Sequence, residues 1–162
     1  MNERWVINAS PLILLGKAAQ LHWLPRLGEV SVPQSVAMEI AAGNPLDPAR
    51  VWLEGPGKDL IVADAPARDE MLAWDLGAGE TAVIAGALAC AGAECILDDG
   101  AARRCAAAHG LAVRGTLSLV LVAKRRGFIR ACRPVFDEMV AAGLFVTPAL
   151  VARVLEAAGE TA

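Results

Sequence analysis

The chain is poor in most of the side chains on which other functional classes depend. It has no tyrosine, three phenylalanines and four tryptophans, so aromatic surfaces that read bases are few. His22 and His109 are the only histidines, and no GxSxG motif accompanies them, which leaves serine or cysteine hydrolase chemistry without its parts. Cys90, Cys95, Cys105 and Cys132 show no CxxC spacing; they read as small hydrophobes in a reducing compartment and not as zinc ligands. No GxGxxG or GxxxxGK[ST] follows any predicted strand, so a nucleotide-binding α/β protein lacks its signature. Lysine is confined to Lys17, Lys58 and Lys124; positive charge is otherwise arginine, which favours bidentate phosphate or carboxylate partners. The net charge of −3 marks no global attraction to nucleic acid, so any such role requires a local basic patch. Long apolar runs are missing too. The most apolar stretch, Gly77 to Leu97, is broken by Glu80, Glu94 and glycines, which excludes a membrane span. Met1-Asn2-Glu3-Arg4-Trp5 has neither the basic start nor the apolar run of a signal peptide, and the expectation is a cytoplasmic protein.

What is present is a core. Hydrophobic residues make up 56% of 162, ample for one domain. Short β-branched runs alternate with helical patterns. Strands are predicted at Arg4 to Asn8, Glu29 to Val32, Leu60 to Ala63, Glu94 to Leu97 and Leu111 to Val113. Between them lie helical patterns from Leu12 to Ala19 (N-cap Ser10), Pro33 to Ala42, Asp47 to Glu54, Pro66 to Trp74, Glu80 to Ala91, Ala101 to His109 and Thr116 to Arg126. That alternation argues for βαβ units, a parallel sheet and helices on both faces. Arg133 to Ala158 differs, with two helical patterns and no strand. The expected organisation is a domain over 1–130 and a helical extension over 131–162 packed on it.

In open parallel sheets ligands sit beyond the carboxyl ends of the strands. Asn8 is placed there after the first strand, and Asp98-Asp99 after the fourth. Adjacent aspartates repel unless positive charge lies beside them, and a divalent cation supplies it; a plain turn with a helix cap also accommodates Asp98-Asp99-Gly100. Glu80 shares a helical face with Val83, Ile84 and Ala87, where a bare carboxylate is costly, although a first-turn acid is also favoured by the helix dipole. Glu39, next to Ile40, reads by itself as a solvated acid at the edge of an apolar stripe. Asn8 and Ser10 add oxygen ligands or hydrogen bonds to water, or simply a turn and a cap.

Three stretches carry a resemblance. Val6-Ile7-Asn8-Ala9-Ser10-Pro11-Leu12-Ile13 resembles the opening strand and turn of the PIN-domain superfamily. Gly77-Ala78-Gly79-Glu80-Thr81-Ala82-Val83-Ile84-Ala85 and Ile96-Leu97-Asp98-Asp99-Gly100-Ala101-Ala102-Arg103 resemble its later acidic motifs. Gly115-Thr116-Leu117 and Ala123-Lys124-Arg125-Arg126-Gly127 are similar to a prokaryotic PIN-like subfamily. The resemblance implies a three-layer α/β/α fold and ribonuclease chemistry dependent on Mg²⁺ or Mn²⁺. It also implies a role as the toxin of a toxin–antitoxin pair, with an antitoxin protein as partner and a homodimer as the assembly. It places Asn8, Glu39, Glu80 and Asp98 at the acidic positions, with Asp99 adjacent and Ser10 and Thr116 in support. Asn8 stands where the family usually has aspartate, which removes one negative charge.

The expected mechanism has Asp98 and Glu80 as leading ligands, with Asp99 and Glu39 ligating or positioning water. Arg103, Arg104, Lys124, Arg125, Arg126 and Arg130 are the candidate phosphate contacts for RNA; as an alternative they form a solvated face with helix-end charges. The rival reading is a non-catalytic member of the same fold that binds RNA or a protein partner, its metal site weakened by Asn8.

Overall fold

A computed structural model describes residues 3–161. Met1 and Asn2, from the run read for a signal sequence, and Ala162, the end of the expected extension, lie outside the described residues. Five strands are formed: β1 (Arg4–Ile7), β2 (Glu29–Pro33), β3 (Ile61–Val62), β4 (Ala93–Ile96) and β5 (Val113–Arg114). All pair in parallel, in the order β3-β2-β1-β4-β5. Trp5, Val6 and Ile7 of the central strand are all buried, as a strand covered on both faces requires.

The helices are α1 (Ala9–Lys17), α2 (Leu24–Leu27), α3 (Gln34–Ala41), α4 (Pro48–Glu54), α5 (Asp69–Leu72), α6 (Ala78–Ala89), α7 (Gly100–Ala108), α8 (Thr116–Arg125), α9 (Arg133–Ala141) and α10 (Pro148–Ala157). Right-handed crossovers place α1 on one face. Because the strand order reverses after β3, they place α6 and α7 on the other. The packing agrees: α6 lies against β1, β2, β4 and α7, while α1 lies against α4, α8 and α9. The result is a three-layer α/β/α architecture. The reversal point falls between β1 and β4, and that gap is where such sheets bind ligands.

Several boundaries differ from the sequence expectation. Helix α1 begins at Ala9, not after Ser10: Asn8 occupies the N-cap without a side-chain cap bond, and Ser10 is exposed in the first turn. Pro11 permits this early start because first-turn N–H groups have no helical partner. The pattern from Pro66 to Trp74 yields only the single turn α5, in which Met71 alone is buried. Strand β5 starts at Val113 because the Leu111 N–H is already bonded to Ala106 O, closing the end of α7. The sequence reading also passed over the turn Leu21–Trp23 and helix α2.

The two last helices share the core. Cys132, Val135, Phe136, Met139 and Leu155 are buried in one cluster with residues of β1, α1 and α8, and α10 packs on α8. Glu160 ties this end down. Its carboxylate accepts from Cys132 N at 2.6 Å, Arg133 N at 3.1 Å and Lys124 Nζ at 2.8 Å. These donors hold its pKa at about 2, against the desolvation that opposes them. Three of the four cysteines are buried, and burial pushes the Cys95 thiol up to about 12, far from reactive.

Candidate functional site

The backbone joins the ends of the two strands flanking the reversal point: Asn8 N donates to Ile96 O at 3.2 Å. Just beyond this bond the chain delivers Asn8 on one side and Asp98-Asp99 on the other. Helix α3 reaches α6 above the strand ends and brings Glu39 there.

Gly79, in the first turn of α6, makes the meeting possible. A Cβ on Gly79 would stand 2.6 Å from Glu39 Oε2 and 3.4 Å from Asn8 Oδ1. Glu39 Oε2 therefore occupies the space that a larger residue would fill, and Asn8 Oδ1 lies at its edge. Asn8 is only 6% exposed, and its Oδ1 is buried with no hydrogen-bond donor. An unpaired buried acceptor facing a carboxylate is unfavourable, and a proton or a cation between them relieves it.

Glu80 completes this side. Starting α6 at Ala78 makes Glu80 its third residue, from which the carboxylate accepts from Gly77 N at a long 3.4 Å. That bond stabilises the ionised form but does not dominate. Burial raises the Glu80 carboxyl above its ordinary value, the neighbouring Asp99 charge raises it further, and Glu39 adds a smaller push. Asp99 is the N-cap of α7 and accepts from Ala102 N at 2.9 Å.

Asp98 turns the other way. Its Oδ1 accepts from Thr116 N at 2.8 Å and its Oδ2 from Thr116 Oγ1 at 2.5 Å, so it caps α8 from the exit of the neighbouring strand. Thr116 is fully buried. Beside it, Arg103 donates to Leu97 O at 2.8 Å, and the space over Gly115 is shared by Asp98 Oδ1 and Arg103 Nη1. Glu80 thus feels the charges of Asp99 and Glu39, and Gly79 is bordered by Glu39 and Asn8, while Asp98 is bonded to Thr116.

The basic residues divide similarly. Arg104 lies over Gly100, and Arg103 lies beside Asp98, both at the amino end of α7. Lys124 is bonded to Glu160 and Ala158 O, and Arg125 reaches Ala157 O at 3.4 Å. Arg126 pairs with Glu3 and Leu27 O and stacks over Trp5. Arg130 is exposed. Lys124, Arg125 and Arg126 therefore make contacts within the fold; Arg103 and Arg104 adjoin the acids.

The donors beyond β1 and β4 are all oxygen, the preference of hard divalent ions such as Mg²⁺ and Mn²⁺. Among the described residues no three His, Cys, Asp or Glu side chains gather closely enough to hold an ion. The set is instead mixed, an amide oxygen with carboxylates. Its chemistry fits a divalent cation, with the orphaned Asn8 Oδ1 as the sign of it. Reading the sequence alone missed two contributors, Gly79 and the Asp98–Thr116 pairing. The GxG before Glu80 was a usable signal for the first; nothing local signalled the second.

A family model, DUF3368, described as a PIN domain, matches residues 4–160, both terminal helices included. No curated protein and no solved structure matches the chain.

Proposed function

We propose that this chain, which belongs to the PIN-domain family, is a ribonuclease that hydrolyses RNA phosphodiesters with Mg²⁺ or Mn²⁺. The family has a nuclease-type fold and generally uses divalent metals. The observation that carries the reading is the buried, donorless Asn8 Oδ1 set against the Glu39 carboxylate over Gly79. Asn8, Glu39, Glu80 and Asp99 are the residues that would have to draw together around the ion, since among the described residues no three acids stand close enough to hold it as they are. When bound, such an ion activates water and neutralises charge on the scissile phosphate.

The chain's own side chains do the rest. Asp98 acts as a positioning residue: by capping α8 through Thr116 it sets the β4 exit, and with it Asp99, against the sheet. Arg103 and Arg104 supply phosphate contacts beside the acids, while Arg130 offers a more distant one. Glu80, whose carboxyl is raised above its ordinary value by burial and by the Asp99 charge, is the carboxylate of this set with the most to gain from a bound cation. The same reading extends to a toxin of a toxin–antitoxin pair acting as a homodimer. Exposed Met38, Leu46 and Val51, on and between α3 and α4, offer an apolar surface to a protein partner.

The neutral Asn8 favours a second reading, a non-catalytic member that binds RNA or a protein partner. Cleavage of single-stranded RNA and Mn²⁺ calorimetry on the native chain separate the two. The proposal expects cleavage that EDTA abolishes and that Asp99→Asn lowers roughly a hundredfold or more. Mn²⁺ or RNA binding without cleavage selects the second reading. No metal binding at all removes this pocket as a metal site.

A further inference from the structure

On the Asp98 side of the strand ends lies a cleft of about 350 Å³, within the size range of small-ligand sites. Leu117, Leu144, Val146 and Leu150 give it apolar walls, and Arg103 and Ser118 give it polar ones. At its lip stands Phe145, in the loop between α9 and α10, with its side chain 99% exposed. No other large hydrophobic side chain among the described residues is so bare. A ring left in water costs hydrophobic free energy that a stacking partner recovers.

We infer that this cleft is a nucleobase subsite, in which one base of single-stranded RNA stacks on Phe145 while Arg103 contacts the adjoining phosphate. The inference rests on the ribonuclease reading and adds where the strand lies. Three observations favour RNA over another occupant. The cleft adjoins the strand end that carries the acids, because Asp98 borders it and Asp99, whose charge acts on Glu80, is the next residue in the chain. The Asp98 carboxylate presents little repulsion to a phosphate, since Thr116 holds it and Arg103 lies alongside. Among the described residues Arg103 donates one hydrogen bond, to Leu97 O, and a guanidinium carries five N–H donors, so others remain for a ligand. An aromatic face beside an arginine is the combination that binds single strands without needing a particular base. Few aromatics are needed for this; one well-placed ring suffices.

The test is fluorescence anisotropy with a labelled single-stranded oligoribonucleotide, in EDTA and again in Mn²⁺ with Asp99→Asn to suppress cleavage. A matched series carries one abasic position, moved along the strand. The native chain should lose affinity roughly tenfold when the abasic position occupies the subsite. Phe145→Ala should show the same loss on intact RNA and no further penalty from the abasic position, whereas Phe145→Trp should retain both. Thermal melts of the Phe145 variants should match the native chain, since the ring packs against nothing. RNA binding that persists with Phe145→Ala unchanged and no position-specific abasic penalty overturns the subsite while leaving the ribonuclease reading standing. No RNA binding by the native chain in EDTA, nor by Asp99→Asn in Mn²⁺, overturns both. If Phe145→Ala instead converts a dimer to a monomer in sedimentation while RNA affinity is unaltered, the loop is a contact between copies and the subsite is refuted.

Discussion

Glu80 and Glu160 are the same residue type in opposite circumstances. Glu160 accepts from two backbone N–H groups and an ammonium, and its pKa falls to about 2. Glu80 has one long bond from Gly77 N, two acidic neighbours and an upward shift driven by burial. The first carboxylate closes the fold; the second sits where the fold leaves negative charge and an orphaned oxygen together. A satisfied acid marks structure, and an unsatisfied group of acceptors marks a place prepared for something else.

Breaking the satisfied side should have the largest effect. Glu160→Ala leaves the first N–H groups of α9 without their acceptor and the Lys124 ammonium with Ala158 O alone, and should cost about 2–4 kcal/mol in urea unfolding. The pH dependence follows from the depressed pKa. The stabilisation is complete above the ordinary glutamate value of 4.5 and declines as the pH falls through about 2. Glu160→Ala should therefore show a flatter acid limb than the native chain over that window.

A smaller effect tests the unsatisfied side. Asn8→Asp adds charge to a buried position facing Glu39, and should lower stability without metal by about 1–2 kcal/mol. Mn²⁺ should reverse the loss and bind more tightly than to the native chain. Combining it with Glu39→Gln should remove most of the penalty, since both side chains border Gly79; additive losses in paired melts would show that they do not interact.

Glu80→Gln should have the least effect on stability and the opposite sign. The folded state raises this carboxyl, so its ionisation opposes folding as the pH rises above 4.5. Removing the charge should raise the metal-free melting temperature slightly at neutral pH and leave it unchanged under acid conditions. A lower melting temperature at neutral pH would mean that the bond to Gly77 N outweighs the repulsion.

Much of this molecule is legible from local chemistry. Val6 and Ile7, Val30 and Val32, and Cys95 and Ile96 announce buried strands, and Asp47-Pro48 announces the cap and start of α4. Asn8 and Asp98-Asp99 could be placed at strand exits from the same patterns. The different partners of Asp98 and Asp99 could not, nor could the commitment of Lys124 to Glu160, 36 residues away. The hundred-odd residues between Glu3 and Arg126 likewise hide their pairing.

The sequence by itself determined the parallel α/β alternation, the all-oxygen character of the candidate donors and the neutral Asn8. These are matters of residue type and near-neighbour spacing, which backbone sterics, caps and hydrophobic periodicity express locally. Only the tertiary structure decided that the strand order reverses between β1 and β4, that Glu39 reaches Asn8 over Gly79, and that Asp98 caps α8. Those arrangements depend on which faces of distant elements pack together. They exist once the shared core has been buried, because only that burial holds side chains from α3, α6 and the ends of β1 and β4 at contact distance.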